Sequence, residues 1–175
     1  RIAARFPKSV ANLWLGTFHS FGLDIVHRFH DRLGLSEHPR VISRYDSIEL
    51  LEDEIARLPL KHFRNLYDPT LDLNNMLAAI SRAKDEVVNA AEYLALAEAM
   101  LESAGDDKEH ELAEKSLDVA MLYQIYETLL QNKNSVDFGD LVSLPVRLVE
   151  SDPAVQKLLS SRHQHILVDE YQDVN

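Results

Sequence analysis

The sequence predicts a mainly α chain with a short strand near each end, and three observations carry that expectation. Through the middle of the chain apolar residues recur at intervals of three and four, the spacing that lines one face of a helix. Short apolar runs stand near the two ends, at 13–18 and 166–168, too short for helices. Hydrophobic residues make up 46% of the 175 and charged residues 27%, the composition of a chain that buries a core.

Leu13-Trp14-Leu15-Gly16-Thr17-Phe18 reads as a buried strand, and strand alternation turns Phe18 toward the core. From Ser20 the period changes to Phe21, Ile25, Phe29 and Leu33, a helical face, with Gly34 where a left-handed C-terminal cap belongs. Val41-Ile42 reads as a short extended link. Asp46 with Glu49 three residues on resembles a capping box, opening a helix whose stripe is Ile48, Leu51, Ile55 and Leu58 before Pro59. After the turn signal Asp68-Pro69-Thr70, the spacing predicts a helix through Met76, Ile80, Ala83 and Val87, then another through Tyr93, Leu96, Ala97 and Met100. Gly105-Asp106-Asp107 breaks the chain. A longer helix follows over about 108–131, with Tyr123 and Tyr126 as core residues rather than base-stacking platforms. The polar joint 132–135 leads to Val136-Asp137-Phe138-Gly139-Asp140-Leu141, read as a turn with a core Phe, and a helix to Val149. Asp152-Pro153 places an N-cap before a proline at the first helical position. The closing strand is Ile166-Leu167-Val168.

The formal net charge is −11. Phosphate neutralisation by Lys and Arg supplies most nucleic-acid affinity, so this chain does not wrap a nucleic acid on charge alone. There is no cysteine, which excludes disulfides and thiolate metal sites and fits a reducing, intracellular setting. The eight histidines, including the pairs His27/His30 and His163/His165, lack a metal-helix spacing. No apolar run approaches the roughly 20 residues that cross a bilayer. Arg1-Ile2-Ala3-Ala4-Arg5 has neither an initiator methionine nor a signal-peptide core, so the chain reads as a cut-out piece.

The chemistry concentrates at the C-terminal end. An apolar strand that ends in adjacent acids is how P-loop ATPases deliver one carboxylate to the Mg²⁺ on the nucleotide phosphates and a second to the attacking water. Asp169 has the metal-side position, through water, and Glu170 the water-activating one. A strand followed by Asp-Glu alone is equally a solvated acidic turn. The fuller string Asp-Glu-x-Gln-Asp is sharper, because a chance match over this chain is on the order of one in a thousand.

Ile166-Leu167-Val168-Asp169-Glu170-Tyr171-Gln172-Asp173-Val174-Asn175 resembles motif II of the UvrD/Rep/PcrA group of superfamily-one DNA helicases, with Val174 where Thr is commoner. Gly16-Thr17-Phe18-His19-Ser20-Phe21 is similar to that family's motif Ib. The stretch 136–141 is similar to the Leu-Asp-Phe-Asp-Asp-Leu segment that precedes motif II, with Gly139 replacing an Asp. Ile80-Ser81-Arg82-Ala83-Lys84-Asp85-Glu86 resembles a helix of the inserted 1B subdomain. Their order and spacing agree over nearly the whole chain.

The resemblance implies a helical 1B subdomain over 21–135 and a partial P-loop (RecA-like) α/β 1A portion over 1–20 and 136–175. It implies Glu170 as the catalytic residue, Asp169 on Mg²⁺, and Gln172 and Asp173 as residues coupling the nucleotide site to neighbouring motifs. Thr17, His19 and Ser20 would contact the DNA backbone or sugar, although Ser20 taken alone reads as an N-cap. The implied parent uses ATP and Mg²⁺ to translocate 3′→5′ on single-stranded DNA and to act at single-strand/duplex junctions, in the cytoplasm beside the nucleoid.

A phosphate cradle needs Gly-x-x-x-x-Gly-Lys-Ser/Thr, whereas this chain has five glycines and none is followed by Lys. The piece by itself is therefore expected to bind no nucleotide or metal and to be inactive, with open strand edges that invite self-association or domain swapping. Two other readings stay open from sequence: an acidic helical protein-interaction module without catalysis, and part of a helicase–nuclease recombination subunit.

Overall fold

A computed structural model describes residues 13–55, 57–63 and 69–169. Among them are seven α-helices: α1 (Phe18–Arg28), α2 (Arg44–Ile55), α3 (Pro69–Asp85), α4 (Ala90–Ser103), α5 (Asp107–Asn132), α6 (Asp140–Ser151) and α7 (Pro153–Arg162). A 3-10 turn, His30–Leu33, follows α1. Two short strands, β1 (Arg40–Val41) and β2 (Ser135–Val136), pair in parallel with Arg40 opposite Ser135 and Val41 opposite Val136. The mainly α expectation holds.

Local side-chain chemistry sets most helix starts. Asn89 accepts from the Glu92 amide at 2.8 Å while Glu92 returns the bond to the Asn89 amide at 2.8 Å, a reciprocal box that opens α4. Asp106 accepts from the amides of Lys108 and Glu109 and opens α5; Asp152 does the same for Ala154 and Val155, with Pro153 at the first position of α7. The box expected at Asp46 and Glu49 lies three residues earlier. Ser43 is the cap, its hydroxyl accepting from the Asp46 amide at 3.3 Å, and the Asp46 carboxylate accepts from the Ser43 amide at 2.8 Å. Asp46 suits either end of such a box, so spacing alone could not choose between them. Gly34 takes the left-handed conformation (φ 69°) that a side chain would resist, which closes the 3-10 turn as expected.

Three clusters of buried apolar side chains result among the described residues, a large one and two small neighbours that together form a second body around α1. The larger joins α2, α3 and α5 through residues such as Leu51, Met76, Ile80, Leu122, Tyr123 and Tyr126. The smaller holds α1 against α6 and α7 through Ile25, Val26, Leu141, Leu148 and Val155. Ile25 and Val26 pack α1 into this second body. Gly22 makes the α1–α6 contact possible: a Cβ there would lie 1.7 Å from the carbonyl oxygen of Leu141. Pro145, inside α6, has no N–H to offer that oxygen four residues back, so the Leu141 carbonyl has no helical donor and faces the bare glycine instead.

Polar anchors tie loops and bodies together. Asp118 on α5 is buried and accepts from the amides of Lys61 and His62 at 2.9 and 2.8 Å, pinning the loop after α2. Arg147 on α6 donates to the Val87 carbonyl at 2.6 Å and pairs with Glu92, tying the smaller body to the α3–α4 joint.

Four expectations are corrected. Residues 13–17 form no strand; Thr17 instead caps α1, which starts at Phe18, and Phe18 is exposed. Ile166, Leu167 and Val168 form no strand and are exposed, Leu167 at 99%. A strand exists only through its ladder, and no described segment pairs with either run; the paired strands lie at 40–41 and 135–136. Leu96 and Met100 are exposed, because α4 packs mainly on α5 and Ala97 is its buried residue. Phe138 is a surface residue at 62% exposure and not a core one.

Candidate functional site

The cap of α1 is a compact knot of short side chains. Thr17 Oγ1 accepts from the Ser20 amide at 3.2 Å, and Ser20 Oγ accepts from the Thr17 amide at 2.8 Å. This uses much of the hydrogen-bonding capacity of Thr17 and Ser20, although both stay exposed. Ser20 is thus the third residue of the helix, not its cap. His19, between them, turns the other way and stacks on Phe138, with ring centroids 3.8 Å apart and planes 18° off parallel. The start of α1 and the loop before α6 therefore share one aromatic surface.

That loop is held from below. Asp137 and Asp140 clasp each other across Phe138 and Gly139: the Asp137 amide donates to Asp140 Oδ2 at 2.9 Å and the Asp140 amide to Asp137 Oδ1 at 3.0 Å. Lys84, at the end of α3 and 1% exposed, places Nζ 2.7 Å from Asp140 Oδ1 and 2.9 Å from Asp137 Oδ2. It is also 2.8 Å from Glu127 Oε1 and 5.1 Å from the centre of the Tyr126 ring. Gly139 leaves room for the lysine stem, since a Cβ there would meet Lys84 Cβ at 2.9 Å. Tyr126 is anchored by its hydroxyl, 2.8 Å from Ser47 Oγ.

Three carboxylates around one cation leave an excess of negative charge in a poorly solvated place. Burial opposes the charge on Lys84, but the facing carboxylates outweigh it and hold the ammonium well above the ordinary lysine range. Burial alone would raise Asp137 too, but Lys84 keeps it below the usual carboxylate value. Asp140 takes the strain: burial pushes it up to about 7 against the pull of Lys84. Between an unfolded value of 3.8 and about 7 the folded chain holds a proton that the unfolded chain has lost, so stability falls as pH rises through that window. Thermal unfolding is therefore expected to show a fold more stable at pH 5 than at pH 8, by about 1–3 kcal/mol. Asp140→Asn flattens this dependence. Below pH 4 the trend reverses as acids with depressed values, such as Asp137 and Glu114 (about 2, beside Lys61 and His62), take up protons.

At the other end of the chain Asp169 lies in a non-helical, exposed stretch after Ile166–Val168. Glu170, Gln172 and Asp173 lie outside the described residues. Among the described residues no three His, Asp or Glu side chains are placed to hold a metal. Asp169 offers the hard oxygen donor that Mg²⁺ prefers, but does not make a site by itself.

The sequence reading missed three residues of this region. Phe138 reads as a core residue, Lys84 only as part of a helix resembling one of the 1B subdomain, and Glu127 carries no signal. The Asp137/Asp140 spacing around a glycine was the available hint, because acids three apart in a turn bind each other's amides and leave oxygens for a buried cation.

The UvrD/REP helicase N-terminal domain family matches residues 1–175. The ATP-dependent DNA helicase PcrA of Leuconostoc citreum is 31% identical over 176 residues, covering all of this chain and 21% of that protein. PcrA of Bacillus subtilis is 27% identical over 175 residues, again covering the whole chain and 21% of the relative. The ATP-dependent DNA helicase Rep of Escherichia coli is 27% identical over 168 residues, 96% of this chain and 22% of Rep. The chain thus spans about a fifth of the length of these relatives. A match from the first residue to the last shows that this chain belongs to the UvrD/REP helicase N-terminal domain family.

Proposed function

We propose that this chain is the part of an ATP-driven DNA helicase that grips single-stranded DNA on the His19–Phe138 face and carries Asp169 and Glu170 toward the nucleotide. The observation that carries this reading is the exposed Phe138 ring stacked on the half-buried His19 at the start of α1, within a chain whose whole length matches the family. A surface phenyl ring already stacked on an imidazole is a platform for a base, since every base has a π-face to offer. With a net charge of −11, the grip depends on stacking and short polar contacts more than on phosphate neutralisation. Thr17 and Ser20 lie beside the platform and hold α1 in register under it.

In this reading Asp169 is the Mg²⁺-side acid and Glu170 orients the attacking water, with Gln172 and Asp173 coupling that site to its neighbours. The ion would supply charge neutralisation on the nucleotide phosphates; the chain supplies the two carboxylates. The phosphate cradle is a Gly-Lys loop that these 175 residues do not contain, so hydrolysis requires other parts of the parent protein. The helical body over 21–135 corresponds to the 1B subdomain, the parent translocates 3′→5′, and single-strand/duplex junctions are its substrates.

Equilibrium binding of the whole protein to a single-stranded thymidine oligomer tests the grip. Phe138→Ala is expected to weaken binding about tenfold, the loss of one base stack. Unchanged affinity in a folded Phe138→Ala protein removes this face from the DNA path.

A further inference from the structure

We propose that Lys84 is a positioning residue for strand binding: from the end of α3 it clamps the two carboxylates that bracket Phe138, and so fixes that ring where His19 stacks on it. The inference rests on the reading of the His19–Phe138 face as the strand grip.

The geometry is that of a joint. Only Phe138 and Gly139 separate Asp137 from Asp140, and Lys84 Nζ touches an oxygen of each, at 2.9 and 2.7 Å. The remaining oxygen of each acid accepts the other's backbone amide, so all four carboxylate oxygens have partners. The lysine stem fills the space beside Gly139, and its ammonium lies over the face of Tyr126. A loop gripped at both ends from beneath has one free direction, outward, and Phe138 takes it.

The cation belongs to the larger core body and the loop to the smaller one. Lys84 follows directly on Ala83 and Ile80, which pack with Leu122, Tyr123 and Tyr126, whereas Leu141, just past the loop, packs with Val26. A shift of α3 relative to α6 therefore moves the ring that meets the base. A solvated lysine pairing with a surface acid would transmit nothing, because exposed pairs hold neither partner in one geometry. A lysine 1% exposed, facing three carboxylates, is held.

The test uses the whole protein and single-strand-stimulated ATP turnover as a function of thymidine oligomer concentration. Lys84→Met alone strands buried carboxylates and risks unfolding. The main variant is therefore Lys84→Met combined with Asp137→Asn and Asp140→Asn. It removes the charges of Lys84 and of both loop acids together, leaves only the partly exposed Glu127 carboxylate, and lets the two asparagines accept each other's amides. Thermal unfolding verifies that it folds. The half-saturating oligomer concentration is expected to rise about tenfold while the saturated rate stays near wild type, the signature of lost ground-state positioning. Adding Phe138→Ala to this variant is expected to cause no further loss, because the ring is already out of place.

Wild-type half-saturation in the folded triple variant overturns the inference, showing that the reciprocal side chain–amide clasp of the loop suffices without the lysine. Full additivity with Phe138→Ala overturns it too. If Phe138→Ala in the wild-type background leaves DNA binding unchanged, the strand-grip reading fails first; if it weakens binding and the triple variant does not, only the role of Lys84 fails.

Discussion

Gly22→Ala is expected to be among the most destabilising single substitutions in this fold. The new methyl group would start 1.7 Å from the Leu141 carbonyl oxygen and 2.8 Å from its carbon, both backbone atoms of α6 that no rotamer change can move. Relief requires α1 and α6 to separate, which opens the contacts of Ile25 and Val26 with Leu148, Val155 and Leu141. Overpacking costs about 1–3 kcal/mol where side chains can yield. Here the obstacle is backbone, and a loss above about 3 kcal/mol is expected, a fall in Tm of roughly 6–12 °C for a chain of this size. Gly105→Ala is the control, since its Cβ would sit 3.4 Å from the flexible end of Glu109, and its Tm is expected to match wild type closely. A mild effect at Gly22 would mean that α1 and α6 do not pack as described.

Much of this architecture can be read from spacing. In the stripe Met76, Ile80, Ala83 and Val87 the first three are buried as the period requires, while Val87 lies past the helix end at a left-handed φ of 59°. Tyr123 and Tyr126 are core residues, and Gly34 and Asp152-Pro153 mark the turns they were expected to mark. These features are local: a cap, a left-handed glycine or a helical face is decided within a few residues. What spacing did not reveal depends on partners far along the chain. Lys84 reads as a solvated charge until Asp137 and Asp140 are brought beneath it. Asp118 reads as an exposed helix acid until the amides of Lys61 and His62 reach it. Phe138 reads as core because phenylalanine usually is, yet it faces outward because the clasp beneath it leaves no inward path. The runs at 13–18 and 166–168 have strand composition, but composition cannot supply the neighbouring strands that a ladder needs.

The same division separates the two candidate sites. The aromatic face is complete within the described residues, and its geometry adds Phe138 and Lys84 to the motif residues legible in sequence. The acidic site is legible almost entirely as a motif. Asp169 is exposed at a bend, and the functional reading of Asp169 and Glu170 rests on the order of residues and on family membership.

Glu170→Gln is expected to have the largest effect on activity. The substitution keeps size and hydrogen-bonding reach but removes the charge that, in the proposed role, would orient and polarise a water molecule, a contribution of about 10²–10⁴ in rate. Binding of ATP and of single-stranded DNA depends on other groups and is expected to persist, so the variant should hold both ligands and turn over slowly. Asp169→Asn is expected to differ, weakening Mg²⁺ affinity so that more Mg²⁺ is needed, as well as lowering the rate, since its carboxylate would serve the ion rather than the water.

The most direct measurement is the ATP turnover of the whole protein that carries this chain, with and without a single-stranded thymidine oligomer, comparing wild type with Glu170→Gln. The account expects the oligomer to stimulate the wild-type rate strongly, and the variant to lose at least about 100-fold of the stimulated rate while still binding ATP and oligomer. A wild-type rate indifferent to the oligomer, or a variant that turns over near the wild-type rate, would contradict it.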